Sequence, residues 1–191
     1  QAVSAEERSL FEACLKEVES KLTYKVCWGR FPVRRTENGL DFGFFRTESK
    51  ALMKNLEGCE EIIVFAATIG LEIDRLIRRY SSLSPAKALF FQAIGAERIE
   101  SLCDAFCDDL KGKGLQLRPR FSPGYGDLPL ELRKDLIRVL DCPRKIGLSL
   151  NESLLMSPSK SVTAIIGIGG RAEEEKNKCG MCQKTDCAYK G

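Results

Sequence analysis

Apolar positions recur along this chain with two different periods, and the changes of period mark its elements. In "SAEERSLFEACLKEVESKL", Leu10, Phe11, Cys14, Leu15, Val18 and Leu22 fall on one face of a 3.6-residue repeat, and Ser4 and Glu7 have the spacing of a capping box. An amphipathic helix is predicted there. "YKVCWGRFPVRR", the turn dipeptide Asn38-Gly39 and "LDFGFF" alternate aromatic or branched residues with polar ones, which predicts an irregular hairpin. Ser49 is placed to cap a short helix ending near Leu56, and the unbroken run "EIIVFAA" predicts a buried strand.

Two helices follow, "LEIDRLIRRY" and a longer one from about Pro85 to Lys111, where proline suits the first turn and Gly112 and Gly114 end the helix. Another helix is predicted over "LELRKDLIRVLD", and "IGLSLNESLLMSPSKSVTAIIGI" ends like a strand. Helices and strands mix without regular alternation. The expected fold class is therefore α+β with an antiparallel or mixed sheet, not a doubly wound one. Gly169 and Gly170 close the expected core, leaving one domain over 1–170, with its N-terminal helix and hairpin, and a charged, cysteine-rich tail over 171–191.

Composition narrows the function classes. With 191 residues and 43% hydrophobic content, one domain with a substantial core is expected. Lys and Arg total 30 against 27 Asp and Glu, with the signs interspersed, which gives no electrostatic footprint for nucleic acid. The apolar runs are too short to span a bilayer and the start is not a basic-then-apolar signal, so a soluble, cytoplasmic protein without a membrane partner is expected. Histidine is absent altogether, which removes Ser-His and Cys-His catalysis and any histidine ligand. Nine cysteines, an odd number lying mostly in core-like segments, read as reduced thiols.

The candidate chemistry concentrates in three places. "RPRFSPGYGDLP" is either a surface loop built of turn residues or a binding loop. In the second reading Arg120 offers a planar fork to a carboxylate, Gly124 lets backbone approach a ligand, and Phe121 and Tyr125 supply flat faces for an adenine or a cationic sulfonium. "LCDAFCDDLKG" sets Asp104 and Asp108 one helical turn apart, either as a wet face or with Asp104 turned into a cleft toward a positive ligand group. In the tail, Cys179, Cys182 and Cys187 form a C-x2-C-x4-C array that suits zinc or an iron-sulfur cluster as readily as a reduced flexible segment, with Cys142 as a fourth ligand only if the tail folds back. The single Gly70 in "FAATIGLEIDRL" is not a phosphate loop, and no Walker or dinucleotide pattern exists.

Four blocks, in order, carry a family resemblance. "FAATIGLEIDRL", "LCDAF", "RFSPGY" and "LSLNESLLMSPSKSV" resemble segments of the activation domain of cobalamin-dependent methionine synthase, the last through Glu152, Ser153, Met156, Pro158, Ser161 and Val162. They cover roughly 60–168. The resemblance implies a curved, mostly antiparallel α+β domain that binds S-adenosylmethionine. Arg120 would hold the ligand carboxylate, backbone at Phe121 would meet the adenine, Asp104 would line the site, and Tyr125 would lie near the donor methyl and the corrin, with Gly124 and Ser161 also among the binding residues. The family's paired tyrosines after the Ser-Val strand have no counterpart here, nor does its cobalamin motif.

The chain thus resembles the activation module alone, serving a methionine synthase that lacks one. The implied partners are a cobalamin-binding synthase or corrinoid protein and a reductant such as flavodoxin or ferredoxin, with the chain an accessory rather than a complete enzyme. The alternative is a redox accessory of a corrinoid methyltransferase carrying an iron-sulfur cluster on its cysteine tail. Anaerobic purification separates the two: visible iron-sulfur absorption supports the redox accessory, and a colourless protein contradicts it.

Overall fold

The computed structural model describes residues 4–169. The chain begins with α1 (Ala5–Glu19), followed by β1 (Lys25–Pro32), β2 (Arg34–Arg35), β3 (Leu40–Asp41), β4 (Arg46–Thr47) and α2 (Lys50–Asn55). Then come β5 (Glu61–Thr68), α3 (Glu72–Leu83) and the long α4 (Pro85–Gly112). A 3-10 turn at Leu130–Leu132 leads into α5 (Arg133–Leu140), α6 (Cys142–Ile146), β6 (Ser149–Leu150), β7 (Met156–Ser157) and β8 (Ser161–Ile168).

β5 forms the centre because its sequence allows nothing else. Every residue after Glu61 in it is buried, so both faces must be covered and both edges paired. β1 and β8 flank it antiparallel, with Trp28 opposite Phe65 and Ile165 opposite Val64. Alternate residues feed two cores. Ile62, Val64 and Ala66 pack with α2, α5 and α6, while Ile63, Phe65 and Ala67 pack with α1, α3 and α4. The α+β class and the antiparallel sheet are as expected from the sequence.

Local signals placed the helices well. The Ser4–Glu7 capping box closes reciprocally at 3.1 and 2.8 Å, Ser49 caps α2, and Pro85 opens α4. The hairpin forms across the Asn38-Gly39 turn, with β2 antiparallel to β3, but it is smaller than expected. β1 pairs with β5 across the sheet, and "LDFGFF" contributes only Leu40–Asp41 to a small sheet of β2, β3 and β4. The aromatic side chains of that segment instead pack on one another, Phe42 on Phe45 at 4.6 Å and Phe44 on Phe31 at 4.7 Å.

The free edge of β8 receives an irregular fourth strand. Leu117 lies opposite Ile168 and Phe121 opposite Ile165, so four steps on one side answer three on the other. The surplus residue makes a β-bulge, and Pro119, which has no N–H to donate, sits inside it. Without the bulge Arg118 and Arg120, two residues apart, would share a face. With it Arg118 turns toward α2 and donates to the Glu57 carbonyl at 2.7 Å, while Arg120 turns toward α4.

The crossing is tight at Gly167. A Cβ there would lie 2.7 Å from Leu56 Cδ2, 2.8 Å from Cys59 Sγ and 3.0 Å from Arg118 Cγ. Gly167→Ala is therefore expected to cost about 1–3 kcal/mol as overpacking, read as a lower urea midpoint with unchanged slope. An unaltered midpoint would contradict this packing.

Candidate functional site

The bulge delivers Arg120 to one helical face of α4. Residues four apart on a helix are neighbours, and Glu100 and Asp104 both project toward the incoming guanidinium. Arg120 Nη2 stands 3.0 Å from Glu100 Oε2 and 2.9 Å from Asp104 Oδ1. The three side chains differ in exposure: Arg120 is 16% exposed, against 60% for Glu100 and 66% for Asp104. Carboxylates so well solvated give ion pairs worth at most about 1 kcal/mol each, so either is cheaply exchanged for a competing partner. The other terminal nitrogen, Nη1, is buried with no hydrogen-bond partner among the described residues. A buried donor without an acceptor is costly, and a carboxylate or phosphate oxygen would satisfy it.

Two thiols lie beside this group. Burial pushes the Cys103 thiol up to about 12 and raises that of Cys107, in both cases against the opposing pull of Arg120. Both stay protonated at neutral pH, so neither offers a nucleophile. The arrangement suits binding and orientation.

Tyr125 and Phe121 diverge in role. Phe121 is 2% exposed, its ring in the core, and its N–H and C=O both exchange 2.8 Å hydrogen bonds with Ile165. Of the two expected aromatic faces, therefore, only Tyr125 is presented to solvent, at 40% exposure and edge-on to Phe121 at 5.2 Å. Gly124 answers a need of the turn itself. Its φ is +91°, its N–H donates to the Leu128 carbonyl at 2.9 Å, and a Cβ would press on Leu130 Cδ1 at 3.0 Å.

Ser161 is not brought to the arginine. It is buried opposite Thr68 at the far end of β8, and its hydroxyl donates to the Pro158 carbonyl at 2.8 Å. Asp108, one turn beyond Asp104, pairs instead with Lys111 at 3.3 Å. Glu100 is the acid the sequence reading missed, though it stands one turn before Asp104 and could have been found by that spacing.

Cys179, Cys182 and Cys187 lie outside the described residues. Cys142, suggested as a fourth ligand, is fully buried with its sulfur 3.7 Å from that of Cys27, so its surroundings are core rather than an open metal position. Among the described residues no group of three or more ligating side chains is placed to hold a metal. No helix among them is long and apolar enough to cross a membrane.

Asp127 fastens the loop to α2. Its carboxylate accepts hydrogen bonds from the Ser49 hydroxyl, from Lys50 N–H at 2.7 Å and from Ala51 N–H at 3.2 Å. These donors, the Ser49 hydroxyl foremost, hold its carboxyl below the usual carboxylate range. A depressed folded-state value means stability that is present at neutral pH and lost as pH falls through the unfolded and then the folded value. Wild type should accordingly melt above Asp127→Asn at pH 7, with the gap closing as pH falls below about 4. A gap independent of pH would show that the charge is not involved.

No family model matches the chain, and no curated protein does. Among solved structures, the crystal structure of the MetH reactivation domain bound to AdoHcy is similar, with a TM-score of 0.60 at 19% identity over 91% of this chain and 69% of that one. The resemblance carried by the four ordered motifs is thus met at the level of the fold: this chain has a reactivation-domain-like α+β fold.

Proposed function

We propose that the chain binds S-adenosylmethionine against Arg120, Asp104 and Tyr125 and presents it for reductive methylation of oxidised cobalamin in a methionine synthase that lacks such a module. The observation that carries the reading is the half-satisfied guanidinium of Arg120: among the described residues Nη1 is buried and unpartnered, while Nη2 is shared by two exposed acids. An α-amino acid head group complements this set, its carboxylate on the guanidinium and its ammonium on Glu100 and Asp104. The likeness to a reactivation domain solved with AdoHcy supports the ligand class.

Charge bookkeeping favours the methyl donor over its product. One arginine and two carboxylates sum to −1. S-adenosylmethionine, with a sulfonium, an ammonium and a carboxylate, carries +1, whereas the demethylated thioether is neutral. The exposed face of Tyr125 would add a cation–π contact to the sulfonium.

Little chemistry is asked of the chain itself. The partner's cobalamin supplies the methyl acceptor, after a reductant such as flavodoxin or ferredoxin has delivered an electron. The side chains here bind and orient the donor, a role that needs no histidine and no activated nucleophile.

Calorimetric titration of S-adenosylmethionine tests the reading. Arg120→Ala is expected to weaken binding by about 2 kcal/mol or more, through loss of a charge-assisted pair, and S-adenosylhomocysteine to bind wild type more weakly than the methylated ligand. Equal binding by wild type and Arg120→Ala would overturn the assignment.

A further inference from the structure

Arg120 and Tyr125, the loop side chains used by the ligand reading, are anchored by different means. Arg120 directly precedes Phe121, whose backbone is locked to Ile165 on both sides. Tyr125 stands at the loop tip, 40% exposed, with its ring edge-on to Phe121. The tip closes on itself through Tyr125 N–H to the Ser122 carbonyl and Leu128 N–H to the Tyr125 carbonyl, each at 3.1 Å. Those bonds shape the turn but tie it to nothing else.

Pro123 and Leu128 are buried on either side of the tip, and Asp127 adds a polar tie to α2. It takes the three donors that open α2, Ser49 Oγ–H, Lys50 N–H and Ala51 N–H, across 76 to 78 residues of sequence. Both carboxylate oxygens are engaged, Oδ1 by Ser49 and Ala51 and Oδ2 by Lys50, a two-pronged arrangement that fixes orientation as well as distance. The residue before it permits the approach, because a Cβ on Gly126 would stand 3.0 Å from the Ala51 Cβ. Asp127 forms no ion pair among the described residues, so its charge is directed at this helix start.

We propose that Asp127 is a positioning residue for the ligand surface: its latch on α2 holds Tyr125 in place, so that latch closure and ligand binding are thermodynamically coupled. This rests on the reading of Tyr125 as a ligand contact. Coupling is reciprocal. If the closed latch favours binding, bound ligand must favour the closed latch by the same factor, and the Lys50 and Ala51 amides report latch opening directly. A contact serving only to hold the fold together would gain no more protection than the core amides, which any ligand of the folded state slows.

The test is amide-resolved hydrogen exchange on the full chain, without and with saturating S-adenosylmethionine, alongside calorimetry of Asp127→Asn, Asp127→Glu and Ser49→Ala. Exchange at Lys50 and Ala51 is expected to slow about tenfold with ligand, and Asp127→Asn to bind about tenfold more weakly, with part of the loss restored in Asp127→Glu. Ser49→Ala, which removes one donor and leaves the loop sequence intact, should show a smaller loss in the same direction. Should Asp127→Asn fail to fold, the wild-type exchange and Ser49→Ala still decide the matter. Wild-type binding with Lys50 and Ala51 gaining no more protection than the core amides would overturn the latch and leave the ligand reading standing; no binding by wild type would overturn both.

Discussion

The pairing of Phe121 with Ile165 is the constraint on which the candidate site depends. Two reciprocal 2.8 Å backbone bonds fasten a loop to the last edge of the sheet, after a bulge that has already shifted the register by one residue. That shift sends Phe121 into one core and Arg120 toward the other, and it separates two arginines that an unbulged strand would have kept together. A single surplus residue thus decides which cation meets α4. Glu100 and Asp104 are set separately, on α4, and the shift decides what they meet.

The sheet beneath supplies the rigidity that such a device needs. β5 is covered on both faces and paired on both edges, so β8 has little freedom to adjust its own register. Upon that frame the polar contacts are weak by design of their exposure. Arg120 is mostly buried, yet its acids are mostly solvated, which leaves a cation fixed in place with exchangeable partners. The proposed ligand role draws on that combination: a buried, fully paired salt bridge would resist a competing head group, and a free surface arginine would not be oriented for one.

Sequence reasoning reached what local chemistry determines. The Ser4–Glu7 box, the Ser49 cap, the start of α4 at Pro85 and the buried run of β5 are written in nearest neighbours, and all are in place. Long-range pairing was not legible in the same way. Asn38-Gly39 signalled a turn correctly, but nothing in "YKVCWGRFP" says that its partner is β5 and not the strand beyond that turn. In the site, Arg120 and Asp104 could be singled out by residue type and motif. The burial of Phe121, the distance of Ser161 and the latch made by Asp127 depend on register and on contacts more than 70 residues apart, which no spacing rule encodes. Pro119 was the one local hint that the edge strand is irregular.

The central claim, that the Arg120 guanidinium receives the carboxylate of S-adenosylmethionine, is tested most directly by a cycle in which protein and ligand are each altered. Affinities of wild type and Arg120→Ala would be compared for S-adenosylmethionine and for its decarboxylated analogue. A coupling of about 2 kcal/mol is expected, with wild type discriminating between the ligands and the variant scarcely doing so. Equal discrimination by both proteins would place the carboxylate elsewhere and contradict the account.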